Sequence, residues 1–207
     1  MQMNYSETPW ALSEEDCPCD LDFLEYLADM KLENKLIFHF GTGNHHVVGK
    51  TNHQRGNPNE IIGITLCKQE YDSYIDFVIN NPVASNFYKV LFSDIYTLSA
   101  RMLPVFDLVT LFHLAESYDE DPYYDKPWVS SAAPGTRRNS AYARLNDTTL
   151  LELFLKKLAP MGKIVFYTES DAFREPYQGG KIVAEFIRER KMVVEENYKR
   201  LLICRRP

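Results

Sequence analysis

Short apolar runs alternate with amphipathic stretches from about residue 35 to the end of the chain. The runs are typical of buried strands, and apolar residues spaced by three or four positions between them are typical of helices. The predicted strands are 35–40, 61–66, 87–92, 106–112 and 163–168. Their alternation with helices predicts an α/β domain in which a parallel sheet is covered on both faces.

Two further apolar runs, 192–194 and 201–204, lie near the C-terminus and are separated by a hairpin-sized connection. They predict an antiparallel hairpin at one edge of the sheet. Apolar residues near position 21–27 predict a helix before the first strand. We therefore divide the chain into an N-terminal helical cap, 1–34, and one α/β domain, 35–207, with a polar insertion at 117–146. A short helix is also expected over 95–103.

Charge and hydropathy narrow the class of partner. The 207 residues include 23 Lys and Arg against 29 Asp and Glu, which gives a net charge of −6. Nucleic-acid binding requires a clustered positive surface, so a nucleic-acid partner is not expected. Without a run of about 18 apolar residues or a signal-like start, we expect no membrane partner and a cytoplasmic location.

We expect the four cysteines, at positions 17, 19, 67 and 204, to be free thiols. The Cys17-Pro18-Cys19 segment has the chemistry to chelate a metal or close a strained bridge, but no second pair completes a zinc site. We therefore predict unpaired thiols in a reducing compartment and assign no metal ligands.

Polar and glycine residues follow the predicted strands, and ligands of open parallel sheets bind at the carboxyl ends of the strands. Gly41 and Gly43 follow the first strand, where they permit a tight turn and close approach of the backbone to a ligand. Thr65 ends the second strand, Asp94 follows the third and His113 follows the fourth. This edge is the predicted binding site.

Three segments carry a family resemblance. Leu36-Ile-Phe-His-Phe-Gly-Thr-Gly-Asn44 resembles the glycine-rich first motif of the class I S-adenosylmethionine (SAM)-dependent methyltransferases. Residues 106–111 are similar to that superfamily's fourth-strand motif, and residues 158–165 resemble its Leu-Pro-Gly signature before the fifth strand. The resemblance covers about 35–206 and implies a doubly wound, mostly parallel seven-stranded sheet of order 3-2-1-4-5-7-6.

The resemblance also implies SAM as the cofactor. Gly41 and Gly43 would pass its methionine end, Thr65 would lie near its ribose, and Asp94 would meet its adenine. The implied cofactor-binding residues are Gly41, Thr42, Gly43, Asn44, Thr65 and Asp94.

The chain departs from this family at three positions. His39 replaces the acid of the first strand, His45 replaces the third glycine of the turn, and Thr65 replaces the carboxylate that usually binds the ribose hydroxyls. Asn44, His45 and Gln54 are the nearby polar residues that would compensate.

The histidines allow two interpretations. In one, His39 is buried and hydrogen-bonded while His46 and His53 are solvated; in the other, the histidines bind a metal. By the resemblance, His113 faces the transferred methyl group and its acceptor. An imidazole there would act as a general base on an acceptor hydroxyl or amine, so His113 is the predicted catalytic residue.

The insertion after the fourth strand combines acids with aromatic residues between positions 117 and 128. Such a loop suits a flat, neutral or cationic acceptor through stacking and cation–π contacts. The alternative is a solvated acidic loop or a surface that docks another protein. The predicted substrate-binding residues are Tyr118, Tyr123, Tyr124 and Trp128.

Two functions from different classes follow. The first is transfer of a methyl group from SAM to a small-molecule acceptor. The second is a non-catalytic binding or partner protein with a methyltransferase fold, motivated by the absent carboxylates at positions 39 and 65.

Overall fold

The computed structural model describes residues 17–43, 45–65, 67–112, 114, 147–169, 179–195 and 197–207. In these ranges a seven-stranded sheet has the order β3-β2-β1-β4-β5-β7-β6, which confirms the expected topology. Strands β1 to β5 pair in parallel, and β7 pairs antiparallel with both β5 and β6. The strands are β1 (Leu36–Phe40), β2 (Glu60–Thr65), β3 (Tyr88–Phe92), β4 (Phe106–Leu111), β5 (Leu158–Tyr167), β6 (Val193–Val194) and β7 (Leu201–Arg205).

Helices cover both faces of the sheet. None of the helices in the described ranges combines the length and the apolar character needed to cross a membrane. The helices are α1 (Pro18–Asp29), α2 (Val47–Gln54), α3 (Lys68–Asn80), α4 (Asp147–Lys156) and α5 (Gly179–Glu189), and a 3-10 helix spans Pro82–Asn86.

The prediction of one helix over 95–103 is wrong. Two separate 3-10 turns, Ile95–Thr97 and Ala100–Met102, occupy this segment. Asp94 accepts a hydrogen bond from the N–H of Tyr96, and Ser99 accepts one from the N–H of Arg101, so each side chain starts its own short turn. Side-chain capping therefore competes with a continuous helix here.

Alternation along β1 assigns its side chains to opposite faces of the sheet. Phe38 and Phe40 belong to the apolar cluster under α4 and α5. Ile37 belongs to the cluster under α1, α2 and α3, and His39 lies on the same face, where its ring stacks on Phe23 of α1 with 6.3 Å between centroids. His39 therefore faces α1.

Charged side chains hold α1 against the connection between β6 and β7. The guanidinium of Arg200 donates to both carboxylate oxygens of Asp22, at 2.7 and 2.9 Å. Lys199 pairs with Glu25 one turn further along the helix. These contacts join the middle of α1 to the segment that precedes β7.

Candidate functional site

A tight turn follows β1. Gly41 and Gly43 have φ values of 90° and 56°, a region that favours glycine. Between them, Thr42 is buried and its methyl carbon lies only 2.5 Å from the point where a Cβ on Gly63 would stand. The bare backbone of β2 at Gly63 therefore lets the turn pack directly on the neighbouring strand.

The carboxylate of Glu70 lies between the ends of β1 and β2. The hydroxyl of Thr65 donates a short hydrogen bond to Oε2 of Glu70, and the hydroxyl of Thr42 lies 3.5 Å from the same oxygen. Thr65 itself accepts from the N–H of Cys67 at 2.9 Å. Thr65 thus orients a carboxylate that the first turn of α3 supplies.

Sequence reasoning missed Glu70 because it sought the acid at the last residue of the strand. The available signal is an acid in the first turn of the helix that follows β2. A helix start directly after a strand turns such a side chain back toward the strand's end.

Asp94 follows β3 and is partly exposed. Its Oδ1 accepts from the N–H of Tyr96 at 3.0 Å, so one oxygen caps the following turn. Since β1, β2 and β3 are adjacent and parallel, the glycine turn, Thr65 with Glu70, and Asp94 lie along one edge of the sheet.

Several predicted site residues lie outside the described residues: Asn44, His113, Tyr118, Tyr123, Tyr124 and Trp128. Gln54 was expected to compensate near the glycine turn, and that expectation is wrong. Gln54 is exposed at the last position of α2, whereas the turn precedes the first. An eight-residue helix separates them by roughly 10 Å.

Two histidines converge on one buried carboxylate from α1. Nε2 of His39 lies 3.5 Å from Oδ1 of Asp20, and Nε2 of His45 lies 3.9 Å from Oδ2. His39 and Asp20 are each 1% exposed, and Nδ1 of His39 lies 2.9 Å from the hydroxyl of Thr110. Position 39 of β1 is a histidine rather than an acid, but the carboxylate of Asp20, supplied by α1, lies beside it.

His46 is buried, so the expectation that it is solvated is wrong. Its Nδ1 lies 2.7 Å from the hydroxyl of Tyr88, and its Nε2 lies 2.6 Å from the backbone carbonyl of Glu70. Burial lowers the pKa of His46 to about 3, which leaves the ring neutral near pH 7. Because a carbonyl oxygen only accepts, Nε2 carries the proton and Nδ1 accepts from Tyr88. The neutral imidazole of His46 therefore connects β3 to the backbone of Glu70.

His53 was also expected to be solvated. It is partly buried, and its Nδ1 lies 3.2 Å from the side-chain oxygen of Asn57.

The sheet order, the C-terminal hairpin and the glycine turn after β1 define the class I SAM-dependent methyltransferase fold. Similar solved structures include magnesium protoporphyrin IX methyltransferase from Synechocystis with bound SAM, at 9% identity and a TM-score of 0.57; the alignment covers 92% of this chain and 79% of that one. A methyltransferase from Pyrococcus furiosus matches at 13% identity and a TM-score of 0.53, covering 90% and 82%.

The [4+2]-cyclase SpnF matches at 14% identity and a TM-score of 0.53, with 84% of this chain and 59% of that chain covered. Among the similar structures, the share of the other chain that the alignment covers ranges from 35% to 96%. The sequence of this chain matches no family model and no curated protein. At these identities the likeness establishes the fold, which hosts more than one kind of reaction.

Proposed function

We propose that the chain binds SAM along the carboxyl ends of β1, β2 and β3 and transfers a methyl group to a small-molecule acceptor. The observation that carries this proposal is the Glu70 carboxylate beside the glycine turn, held by Thr65 and Thr42. When bound, SAM supplies a methyl group on a sulfonium. The protein then contributes mainly binding and alignment of the two reactants.

The residues at this edge fit the nucleoside half of SAM. Gly41 and Gly43 themselves carry no side chain, which suits close approach of a ligand to the backbone of the turn. Glu70 offers carboxylate oxygens, which suit the paired hydroxyls of a ribose. Asp94 has one oxygen on its own turn and a second for an amino group such as that of adenine.

For the acceptor, we propose His113, two positions beyond the end of β4, as the group that takes a proton from a hydroxyl or amine. The proposed substrate-binding residues are Tyr118, Tyr123, Tyr124 and Trp128. Aromatic rings among acids favour a neutral or cationic acceptor.

One observation favours the alternative, a binding protein without methyl transfer. A Cβ added to Gly43 would lie 2.6 Å from Nε2 of His45, so this imidazole packs over the glycine turn. In the alternative, the glycine turn makes room for the His45 ring rather than for the methionine end of SAM.

The test is calorimetric titration of the full chain with SAM and with S-adenosylhomocysteine. We expect both to bind, and we expect Glu70→Gln to weaken binding about tenfold to a hundredfold, since hydrogen bonds to a charged group contribute roughly 1.5–3 kcal/mol. Asp72→Asn is the matched control, because Asp72 lies on the same helix but is exposed and pairs with Lys68. It should leave the affinity unchanged.

The outcomes separate the two functions. Absence of binding at millimolar ligand contradicts a SAM-binding function, and equal effects of Glu70→Gln and Asp72→Asn contradict the role of Glu70. Binding together with transfer of label from methyl-labelled SAM to neutral or cationic acceptors supports the enzyme. Absence of SAM binding in a folded chain supports the alternative, in which the glycine turn makes room for the His45 ring instead of the methionine end of SAM.

A further inference from the structure

Three potential metal ligands meet between the start of α1 and the turn after β1. Cys17, Asp20 and His45 each offer one ligand atom, and these atoms all lie within 4.8 Å of one another. Cys17 is 5% exposed and Asp20 is 1% exposed, while the side chain of His45 is 10% exposed. Three different donor types thus converge in a largely buried position.

We propose that Cys17, Asp20 and His45 bind a zinc ion that ties α1 to the glycine turn. Thiolate, imidazole and carboxylate are all ligands of zinc, whereas calcium and magnesium require oxygen ligands. Three protein ligands leave a fourth tetrahedral position for water or a bound molecule. This site is separate from Glu70 and Asp94, and it does not depend on the proposed use of SAM.

The distances suit a tetrahedral ion after small movements. Zinc bonds of about 2.0–2.3 Å place two ligand atoms about 3.3–3.8 Å apart. Nε2 of His45 and Oδ2 of Asp20 are already 3.9 Å apart, and the largest separation in the group is no more than 4.8 Å. Zinc binding therefore requires the ligand atoms to approach one another by up to roughly 1 Å.

Zinc binding also changes one hydrogen bond. Nδ1 of His45 accepts from the N–H of Val47 at 3.1 Å, and binding through Nε2 moves the ring proton to Nδ1. Val47 is the first residue of α2, where an N–H has no partner within the helix and is open to other acceptors. The hydrogen bond between Val47 and His45 is then lost, because both nitrogens are donors, but one hydrogen bond at a helix end is a small loss beside three metal–ligand bonds.

The surroundings stabilise this ligand set. Nε2 of His39 lies 3.5 Å from Oδ1 of Asp20, so His39 is placed to orient the carboxylate whose other oxygen faces His45. A thiolate and a carboxylate together cancel the charge of Zn²⁺, which makes the buried group electrically neutral and reduces the penalty for burying it.

Cys19 does not join this group. It is buried in the apolar cluster between α1 and the sheet, together with Phe23 and Leu27. No disulfide joins Cys17 to Cys19, and only Cys17 of the Cys-Pro-Cys segment lies in the cluster of potential ligands. The second and third ligands come from Asp20 and His45 instead.

The test uses the full-length chain after treatment with a chelator. Zinc is titrated in competition with a chromophoric chelator, and cobalt is then bound in place of zinc to record thiolate–cobalt absorption. We expect one zinc per chain. Cys17→Ser and His45→Ala should weaken zinc binding at least about tenfold to a hundredfold, the loss that even outer partners of a metal site cause.

Cys67→Ser is the matched control, because the Cys67 thiol is partly buried outside the cluster. It should retain wild-type zinc affinity and the cobalt–thiolate absorption, which Cys17→Ser should lose. Circular dichroism checks that each variant is folded; if Cys17→Ser unfolds, His45→Ala and the wild-type cobalt spectrum decide. A folded wild-type chain that takes up no stoichiometric zinc, or binds cobalt without thiolate absorption, overturns the proposal. Because no SAM is present, either result leaves the proposed function standing.

Discussion

The two faces of the sheet differ in what they bury. Under α4 and α5 the core is dominated by packed apolar and aromatic side chains, such as Phe38 against Phe154 at 4.6 Å and against Phe106 at 5.4 Å between ring centroids. The buried polar contact described on this side joins the hydroxyl of Tyr96 to the carboxylate of Asp147 at 2.6 Å. We infer that the side chains on this face mainly stabilise the fold.

The face under α1, α2 and α3 combines apolar packing with many buried polar groups. Burying a polar group is unfavourable unless it is hydrogen-bonded or paired, so such a concentration indicates a purpose beyond stability. Both candidate sites lie on this side, at the carboxyl ends of the strands. The buried polar residues include Asp20, His39, Thr42, His46, Thr65 and Thr110.

The sharpest test of this difference compares one phenylalanine from each face. Phe23 and Phe154 are both 0% exposed. We expect Phe23→Ala and Phe154→Ala each to lower the free energy of unfolding by about 3–5 kcal/mol, because each removes a large buried side chain and leaves a cavity. Denaturant unfolding measures both losses.

Zinc affinity should separate the two variants. Phe23 stacks on His39 with an interplanar angle of 2°, so its loss frees the imidazole that orients Asp20. Phe23→Ala should weaken zinc binding about tenfold, in the range seen for outer partners, while Phe154→Ala should not change it. Equal zinc affinities in two folded variants would show that the faces do not differ in this way.

A smaller effect is expected from one ion pair on each face. Arg200 binds Asp22, whose side chain is 4% exposed, whereas Arg190 binds Glu152 on the other face and is itself 47% exposed. Arg200→Met should lower the free energy of unfolding by about 2 kcal/mol, because it leaves a buried carboxylate with weakened pairing. Arg190→Met should cost less than about 1 kcal/mol, as exposed pairs do.

Hydrogen exchange adds a local measurement to this comparison. If Arg200 holds α1 in place, amides of α1 should exchange faster in Arg200→Met than in Arg190→Met. Equal protection of α1 in both variants would show that apolar packing alone fixes this helix.

The sequence allowed most of the fold and several residues of the candidate site to be predicted. Consecutive apolar residues in 35–40 indicate a buried strand, and the motif order implied the sheet order that the structure confirms. Gly43, Thr65 and Asp94 were identified by one rule, that ligands bind at the carboxyl ends of parallel strands. That rule depends only on the local order of elements.

Contacts between distant segments could not be predicted in the same way. Asp20 reaches His39 from α1, and the same helix pairs through Asp22 with Arg200, 178 positions away in the chain. No periodicity in either segment reports that pairing. His46 was expected in solvent on polarity alone, but a hydroxyl and a backbone carbonyl from elsewhere satisfy both of its nitrogens.

A final comparison takes one tyrosine hydroxyl from each face. Tyr96→Phe removes the donor to Asp147, and Tyr88→Phe removes the donor to His46. Each should lower the free energy of unfolding by about 1–2 kcal/mol, since a buried acceptor loses its hydrogen bond. Only Tyr88→Phe should also weaken SAM binding, because His46 bonds the backbone of Glu70. Equal SAM affinities in the two variants would show that the position of Glu70 is independent of His46.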